Sequence, residues 1–216
     1  MSSIDMRTDV WGQIGGAEGQ VHSPALPLPP TAGQPVYSII PPVVPETKPV
    51  ILRIAGIVRE SIVDGPGIRL TVFTQGCKHR CPGCHNPQTH DFAGGEQVEA
   101  DTILRQIKRN PLLDGITLSG GEPFEQAEAC SELARAVHAL KLNVMIYSGY
   151  TFEELLAGMP ERPGWKALLE ETDILVDGRF ELARKSLMLK FRGSENQRIL
   201  DVKKSLKEGK AVLANI

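Results

Sequence analysis

The 216-residue chain has no apolar run approaching the roughly 18 residues that cross a bilayer. Its first 20 residues lack both the basic start and the apolar centre of a secretory leader, so a cytoplasmic location is expected. Net charge is equally scarce. The 24 Lys and Arg nearly balance the 26 Asp and Glu, leaving −2 and a pI near 6.2, which gives no general pull toward nucleic acid or an anionic surface. There are only four cysteines, and three of them crowd into Cys77, Cys81 and Cys84. Such crowding cannot make a spaced disulfide framework; it points to metal or redox chemistry in a reducing compartment. The 41% apolar content suits one domain with a sizeable core.

Proline is concentrated rather than scarce, with nine of the chain's 16 lying between Pro24 and Pro49. This stretch cannot sustain helical or ladder hydrogen bonds, so residues 1–48 read as an extended or disordered, proline-rich arm. No proline-ligand pattern repeats there, and a passive tail is favoured over a partner-binding arm. Residues 49–216 form the expected catalytic domain.

Within that domain strand-like and helix-like segments alternate. Val50 to Val58 and Ile68 to Thr74 are β-branched runs, and the second ends directly before Gly76-Cys77. Val98 to Lys108 places Ile103, Leu104 and Ile107 on one helical face, and Gly115 to Leu118 is a short strand before Ser119-Gly120-Gly121. Helical spacing over Phe124 to Leu140, a strand at Leu142 to Tyr147, a helix at Phe152 to Leu156 and a strand at Ile174 to Val176 continue the alternation. About five or six such units of roughly 30 residues fit, predicting an α/β fold in which parallel strands make a partial, open barrel. Ligands of such sheets bind beyond the strands' carboxyl ends, where the glycine-rich and cysteine-rich loops fall.

Cys77-Lys-His-Arg-Cys81-Pro-Gly-Cys84 supplies three thiolates in one loop, with Pro82-Gly83 as the turn between the last two. Spacing alone leaves two readings open. Zinc could take His79 or His85 as a fourth ligand, whereas a 4Fe-4S cluster held by three cysteines would keep one iron open to a small molecule. Cys130 sits on the apolar face of its helix and reads as a core residue outside the cluster.

The flanking residues discriminate. Val63-Asp-Gly-Pro-Gly-Ile68, Phe73-Thr-Gln-Gly-Cys77, the cysteine run continuing into His85-Asn86, and Ser119-Gly-Gly-Glu-Pro123 together resemble the radical S-adenosylmethionine superfamily, specifically the activating enzymes of glycyl-radical enzymes. Tyr147-Ser-Gly-Tyr150, Leu175-Val-Asp-Gly-Arg179 and Phe191-Arg-Gly-Ser-Glu-Asn-Gln-Arg198 extend the resemblance, in the pattern of the branch that activates anaerobic ribonucleotide reductase.

The resemblance implies a 4Fe-4S cluster on Cys77, Cys81 and Cys84 whose open iron chelates S-adenosyl-L-methionine. It implies further that the Gly120-Gly121-Glu122 loop binds the methionine part. Ser148 and Asp177 stand at the ends of two predicted strands, where contacts to ribose or methionine are expected, and Asp177 could equally cap the following turn. Many members of the superfamily carry an aromatic residue just before the third cysteine. Gly83 stands there, and His85 is the expected substitute against the adenine. Asp64 would position the substrate's glycyl loop. The implied partners are a glycyl-radical enzyme, anaerobic ribonucleoside-triphosphate reductase above others, and a low-potential electron donor. Competing expectations are a formate-lyase-type partner, a small-molecule radical enzyme of the same superfamily, and a zinc-stabilised interaction scaffold. Gly193, Asn196 and Arg198 complete the late signature without a chemistry of their own, and the lysine-rich run from Lys203 to Lys210 reads as a solvated face.

Overall fold

The computed structural model describes residues 48–216; the expectations about the proline-rich extension lie outside the described residues. Seven strands, β1 (Ile51–Ser61), β2 (Arg69–Thr74), β3 (Glu96–Glu99), β4 (Gly115–Gly120), β5 (Asn143–Tyr147), β6 (Ile174–Asp177) and β7 (Arg198–Asp201), form one sheet in the order β3-β1-β2-β4-β5-β6-β7. The helices are α1 (Ala100–Arg109), α2 (Ala127–Ala139), α3 (Phe152–Gly158), α4 (Trp165–Glu170) and α5 (Val202–Glu208). No helix among the described residues is long and apolar enough to cross a membrane.

The α/β class is as expected, but the expected five or six parallel strands need correction. The parallel ladder holds four strands, β2, β4, β5 and β6. Strand β1 is antiparallel to β2 because residues 62–68 are too short a connection for a crossover helix. Strand β7 returns antiparallel to β6. Strands β3 and β7 form the two edges, so the sheet is not a closed barrel.

Strand periodicity divides the parallel block into two chemically different faces. Leu70, Val72, Ile116, Leu118, Val144 and Ile146 join Ile103, Leu133 and Val137 of α1 and α2 in one buried apolar cluster. The alternate positions Arg69, Thr71 and Thr117 are equally buried but polar. A polar interior face is tolerated only where its groups are hydrogen-bonded, and the 62–68 loop supplies the partners.

Sequence reasoning passed over β3, α4, β7 and the helical state of the lysine-rich run. Val98 begins no helix because Glu96–Glu99 pairs with β1, and α1 starts at Ala100. Asp201 caps α5 by accepting from the Lys204 N–H at 3.0 Å, and Gly209 ends it in the left-handed conformation at φ 66°.

Asp173, just before β6, ties this region together. Its Oδ2 accepts from Val144 N at 2.8 Å and meets His138 Nε2 at 2.9 Å, and its Oδ1 lies 2.5 Å from Lys203 Nζ. Burial alone would raise its pKa, but Lys203, His138 and the Val144 amide outweigh burial and hold it below the ordinary carboxylate value. A depressed pKa contributes stability above the unfolded value of about 3.9 and loses it as pH falls through the folded value. Asp173→Asn should therefore destabilise the protein by about 2 kcal/mol at neutral pH and flatten its acid unfolding below about pH 4, as read by circular dichroism across pH.

Candidate active site

The parallel strands end at Thr74, Gly120, Tyr147 and Asp177, and the residues following these ends enclose a cavity of about 560 Å³. Cys77, Cys81 and Cys84 line it together with Asp64, His85, Gly120, Gly121, Glu122 and Ser148. The ligand-binding end expected from topology is therefore where these side chains meet. Gly83 and Asp177 do not line it. A second cleft of about 700 Å³ runs beside Phe124, Arg162 and Trp165, but it contains no cysteine.

The cysteine loop is shaped by backbone hydrogen bonds. Gly76 N donates to Thr89 O at 2.8 Å and Cys77 N to His90 O at 3.2 Å. Cys84 N donates to Cys81 O at 3.1 Å, closing the Pro82-Gly83 turn, where Gly83 has φ 75°. A side chain there would also meet Leu182, which accounts for glycine at this position on backbone grounds. All three cysteines are free thiols, and Asn86 N points at Cys84 Sγ from 3.4 Å. Burial pushes the Cys77 and Cys81 thiols above their ordinary pKa. Ligation to a soft metal centre would reverse that shift, because the thiolate is the ligand and its charge is then neutralised. The donor set fits an iron–sulfur cluster. Cys130 is fully buried among apolar side chains, with its thiol pushed up to about 12, and takes no part in the cavity.

Glu122 organises the surroundings. Its side chain is fully buried, and four donors converge on it. Oε1 accepts from Phe124 N at 3.1 Å and Ser148 Oγ at 2.9 Å; Oε2 accepts from Gly149 N at 2.8 Å and meets His79 Nε2 at 3.0 Å. Arg179 Nε donates to His79 Nδ1 at 3.3 Å, so the imidazole proton sits on Nε2 and is given to Glu122. Three loops are joined through one carboxylate. The glycine pair before it packs just as tightly: Gly121 N donates to Thr74 O at 2.7 Å, Glu122 N to Gly76 O at 2.9 Å, and a Cβ on Gly121 would fall 2.5 Å from Gly76 O.

The remaining sequence-named residues divide by what they touch. Asp64 is half-buried; its Oδ2 accepts from Ser61 Oγ at 2.6 Å and Thr71 Oγ1 at 3.2 Å. His85 is exposed and packs against Phe180 with ring centroids 5.0 Å apart. Ser148 is held by Glu122, so its hydroxyl proton is already committed. Asp177 is committed too: it accepts from Phe152 N at 2.8 Å at the start of α3 and from Arg198 Nε at 3.0 Å and Nη2 at 2.5 Å. That geometry makes Asp177 an anchor between β6, β7 and α3 rather than a cavity group.

Sequence reasoning did not give a site role to His79, Phe180, Arg192 or Gln197, all of which line the cavity. His79 entered only as a possible zinc ligand, and both of its nitrogens are engaged by Glu122 and Arg179. Gln197 accepts from Gly193 N at 2.8 Å and donates to Gly178 O at 3.0 Å, and Asn196 donates to Arg179 O at 2.8 Å. The late signature thus fastens the 178–197 segment as a wall of the cavity. Its signal was a cluster of amides in a loop, whose partners lie too far along the chain to be read from spacing.

A mixed α/β sheet whose carboxyl-end loops gather three free thiols and a glycine-rich turn defines a metal-binding class of protein, and a family model described as a 4Fe-4S single cluster domain, matching residues 63–200, makes that class iron–sulfur. The anaerobic ribonucleoside-triphosphate reductase-activating protein of Vibrio cholerae is 34% identical over 145 residues, covering 63% of this chain and 89% of that protein. Its counterpart from Enterobacteria phage T4 is 32% identical over 145 residues, covering 63% and 86%. The pyruvate formate-lyase-activating enzyme of Clostridium pasteurianum is 39% identical over 113 residues, covering 48% of each chain. The chain belongs to the family of glycyl-radical-enzyme activating proteins that carry a 4Fe-4S cluster.

Proposed function

We infer that this protein binds a 4Fe-4S cluster through Cys77, Cys81 and Cys84, binds S-adenosyl-L-methionine beside it, and generates a glycyl radical on anaerobic ribonucleoside-triphosphate reductase. The observation that carries the reading is the opening of all three thiols, the Gly120-Gly121 turn and Asp64 onto one cavity. The match to reductase-activating proteins along most of their length supports the choice of partner over a formate-lyase-type enzyme, whose activating relative is matched over about half its length. The partial, open barrel of the family is the shape that would gather the ends of β2, β4, β5 and β6 around such a site.

A 4Fe-4S cluster held by Cys77, Cys81 and Cys84 would supply the one-electron reduction that splits S-adenosyl-L-methionine into methionine and a 5′-deoxyadenosyl radical, the species that would take a Cα hydrogen from glycine. The chain's own residues prepare that event by placement. Gly120 and Gly121 leave no room for a Cβ against Phe73 and Gly76, so this turn packs onto the cysteine loop at the cavity's edge, where its carbonyl oxygens could accept from a ligand's amino group. Glu122 acts indirectly, holding the Gly120-Gly121 turn, the Ser148-Gly149 turn and His79 in register. His85 and Phe180 offer an aromatic wall in place of a ring at position 83.

Anaerobic reconstitution with iron and sulfide, followed by reduction with S-adenosyl-L-methionine and the reductase, should yield 5′-deoxyadenosine and a glycyl doublet in electron paramagnetic resonance. A doublet only with a different glycyl-radical enzyme would reassign the partner. No cluster absorbance and no 5′-deoxyadenosine would sink the enzyme reading altogether.

A further inference from the structure

The three thiols open onto the cavity, yet the turn between Cys81 and Cys84 also has an outer side. Pro82 and Gly83 are exposed, and neither lines the cavity. Leu182 covers this turn: a Cβ on Gly83 would fall 2.9 Å from Leu182 Cδ1, yet 55% of Leu182 stays open to solvent. The segment that carries Leu182 is fastened to the cysteine loop, since Arg179 Nε donates to His79 Nδ1 at 3.3 Å. It also acts on a thiol directly. Burial raises the pKa of Cys81, and the Phe180 amide and the Arg179 guanidinium pull against it. Arg80, Pro82, Gly83, Leu182, Arg184 and Lys185 thus make up an outward surface with two thiols just behind it, and none of the six lines the cavity.

This surface is basic in a chain that is not. Arg80, Arg179, Arg184 and Lys185 stand against Glu181 and against Glu195, whose N–H donates to Arg184 O at 3.0 Å, whereas the whole chain carries −2. Little of the positive charge is spent. Glu181 meets Arg184 only at 3.6 Å, and Arg80 and Lys185, both exposed, form no ion pair among the described residues. A cluster of surface charge is ordinarily just a solvated face. Two observations set this one apart: an exposed leucine is seated within it, and that leucine rests on the turn between two thiols. An apolar contact ringed by charge of one sign is the make-up of a small, short-lived protein interface of the kind that passes electrons.

We propose that the face formed by Arg80, Pro82, Gly83, Leu182, Arg184 and Lys185 docks a small acidic protein that carries one low-potential electron. The proposal rests on the iron–sulfur reading above. One electron leaves the reduced carrier and enters the centre held by Cys77, Cys81 and Cys84; no atom and no proton is exchanged. Tunnelling through protein falls off steeply with distance, so a carrier is best placed where only the Pro82-Gly83 turn and Leu182 intervene. The cavity stays open to S-adenosyl-L-methionine and the substrate peptide, and reduction need not compete with them for space. Positive charge around Leu182 steers an acidic carrier toward it, whereas exposed ion pairs add little affinity, so the encounter is fast and brief.

The probe is a plant-type ferredoxin, an acidic 2Fe–2S protein with a potential of about −400 mV. Arg184→Glu/Lys185→Glu reverses the patch, and Lys108→Glu/Lys207→Glu makes the same change of charge in the last turns of α1 and α5. In the reconstituted enzyme at low ionic strength, bleaching of the cluster by reduced ferredoxin in stopped flow should slow about tenfold in the first pair and not in the second. Calorimetry with oxidised ferredoxin should show a Kd raised about tenfold in the first pair alone. Salt at about 0.5 M should erase both differences, because the Debye length then shrinks to about 4 Å. Photoexcited deazariboflavin, a small neutral reductant, should reduce every variant at the wild-type rate and support the same yield of 5′-deoxyadenosine. Wild-type rates and Kd in Arg184→Glu/Lys185→Glu would overturn the docking face, and so would an equal loss in Lys108→Glu/Lys207→Glu. Weaker binding of the reductase with unchanged reduction by ferredoxin would give the face to the substrate protein and overturn the proposal as well. A wild-type cluster that deazariboflavin reduces and ferredoxin does not ends the docking proposal alone. Wild-type protein that takes up no cluster fails the iron–sulfur reading, and the calorimetry still decides whether this face binds an acidic carrier.

Discussion

Serine at any one of positions 77, 81 or 84 is expected to prevent assembly of a stable cluster, reducing bound iron from about four per chain to well below one and abolishing 5′-deoxyadenosine formation. The three cysteines share one cavity, and the fourth, Cys130, is sealed in the apolar core, so no spare thiol can take over. A serine hydroxyl is a poor ligand for a soft centre at neutral pH. Iron and sulfide analysis beside circular dichroism of the metal-free protein separates ligand loss from misfolding. Cys130→Ser should behave oppositely, retaining the full cluster while losing stability through a polar group placed in the core. A normal cluster in Cys84→Ser would remove that residue from the ligand set and reopen the question of a histidine ligand.

The largest expected effect on stability is at Glu122. In Glu122→Gln one carboxylate oxygen becomes an amide donor facing two donors that formerly pointed at an acceptor, either Phe124 N and Ser148 Oγ or Gly149 N and His79 Nε2. Breaking a fully buried charged network of this kind costs about 3–5 kcal/mol. The thermal midpoint should fall accordingly, and because the carboxylate ties the glycine turn to His79 in the cysteine loop, reconstitution should slow as well. Glu122→Asp tests the geometry separately: charge is kept, but the shorter side chain cannot span all three loops. A Glu122→Gln protein with unchanged melting would mean that the four contacts carry little of the fold.

How much of this was legible beforehand depends on the range of the interaction. Strand β2 and its run into Cys77, the β-α-β alternation and the convergence of loops at the strands' carboxyl ends follow from local periodicity and topology, and the structure agrees. The seven-strand order and the antiparallel edges were not legible, since β3 and β7 are four-residue segments with little apolar patterning of their own, stabilised by pairing to β1 and β6. The same limit applies within the site. The cysteines announce themselves by type and spacing, whereas Arg69 reads as one polar residue in a strand until its partner Thr117, 48 positions away, is seen to carry its hydrogen bond to Asp64. Asp177 stood at the end of a strand, as a ligand residue would, but Arg198 and the α3 amide claim both of its oxygens.

The ties between Thr74 and Gly121, Gly76 and Glu122, and Cys77 and His90 are made entirely of protein groups. The loop proposed to receive iron is thus tethered on both sides by the polypeptide itself, and the buried apolar cluster includes none of Cys77, Cys81 and Cys84. Oxidative damage to the inorganic centre would therefore strip the protein of its activity without dismantling the socket. On that reading the chain would remain a folded receptacle once the centre is lost.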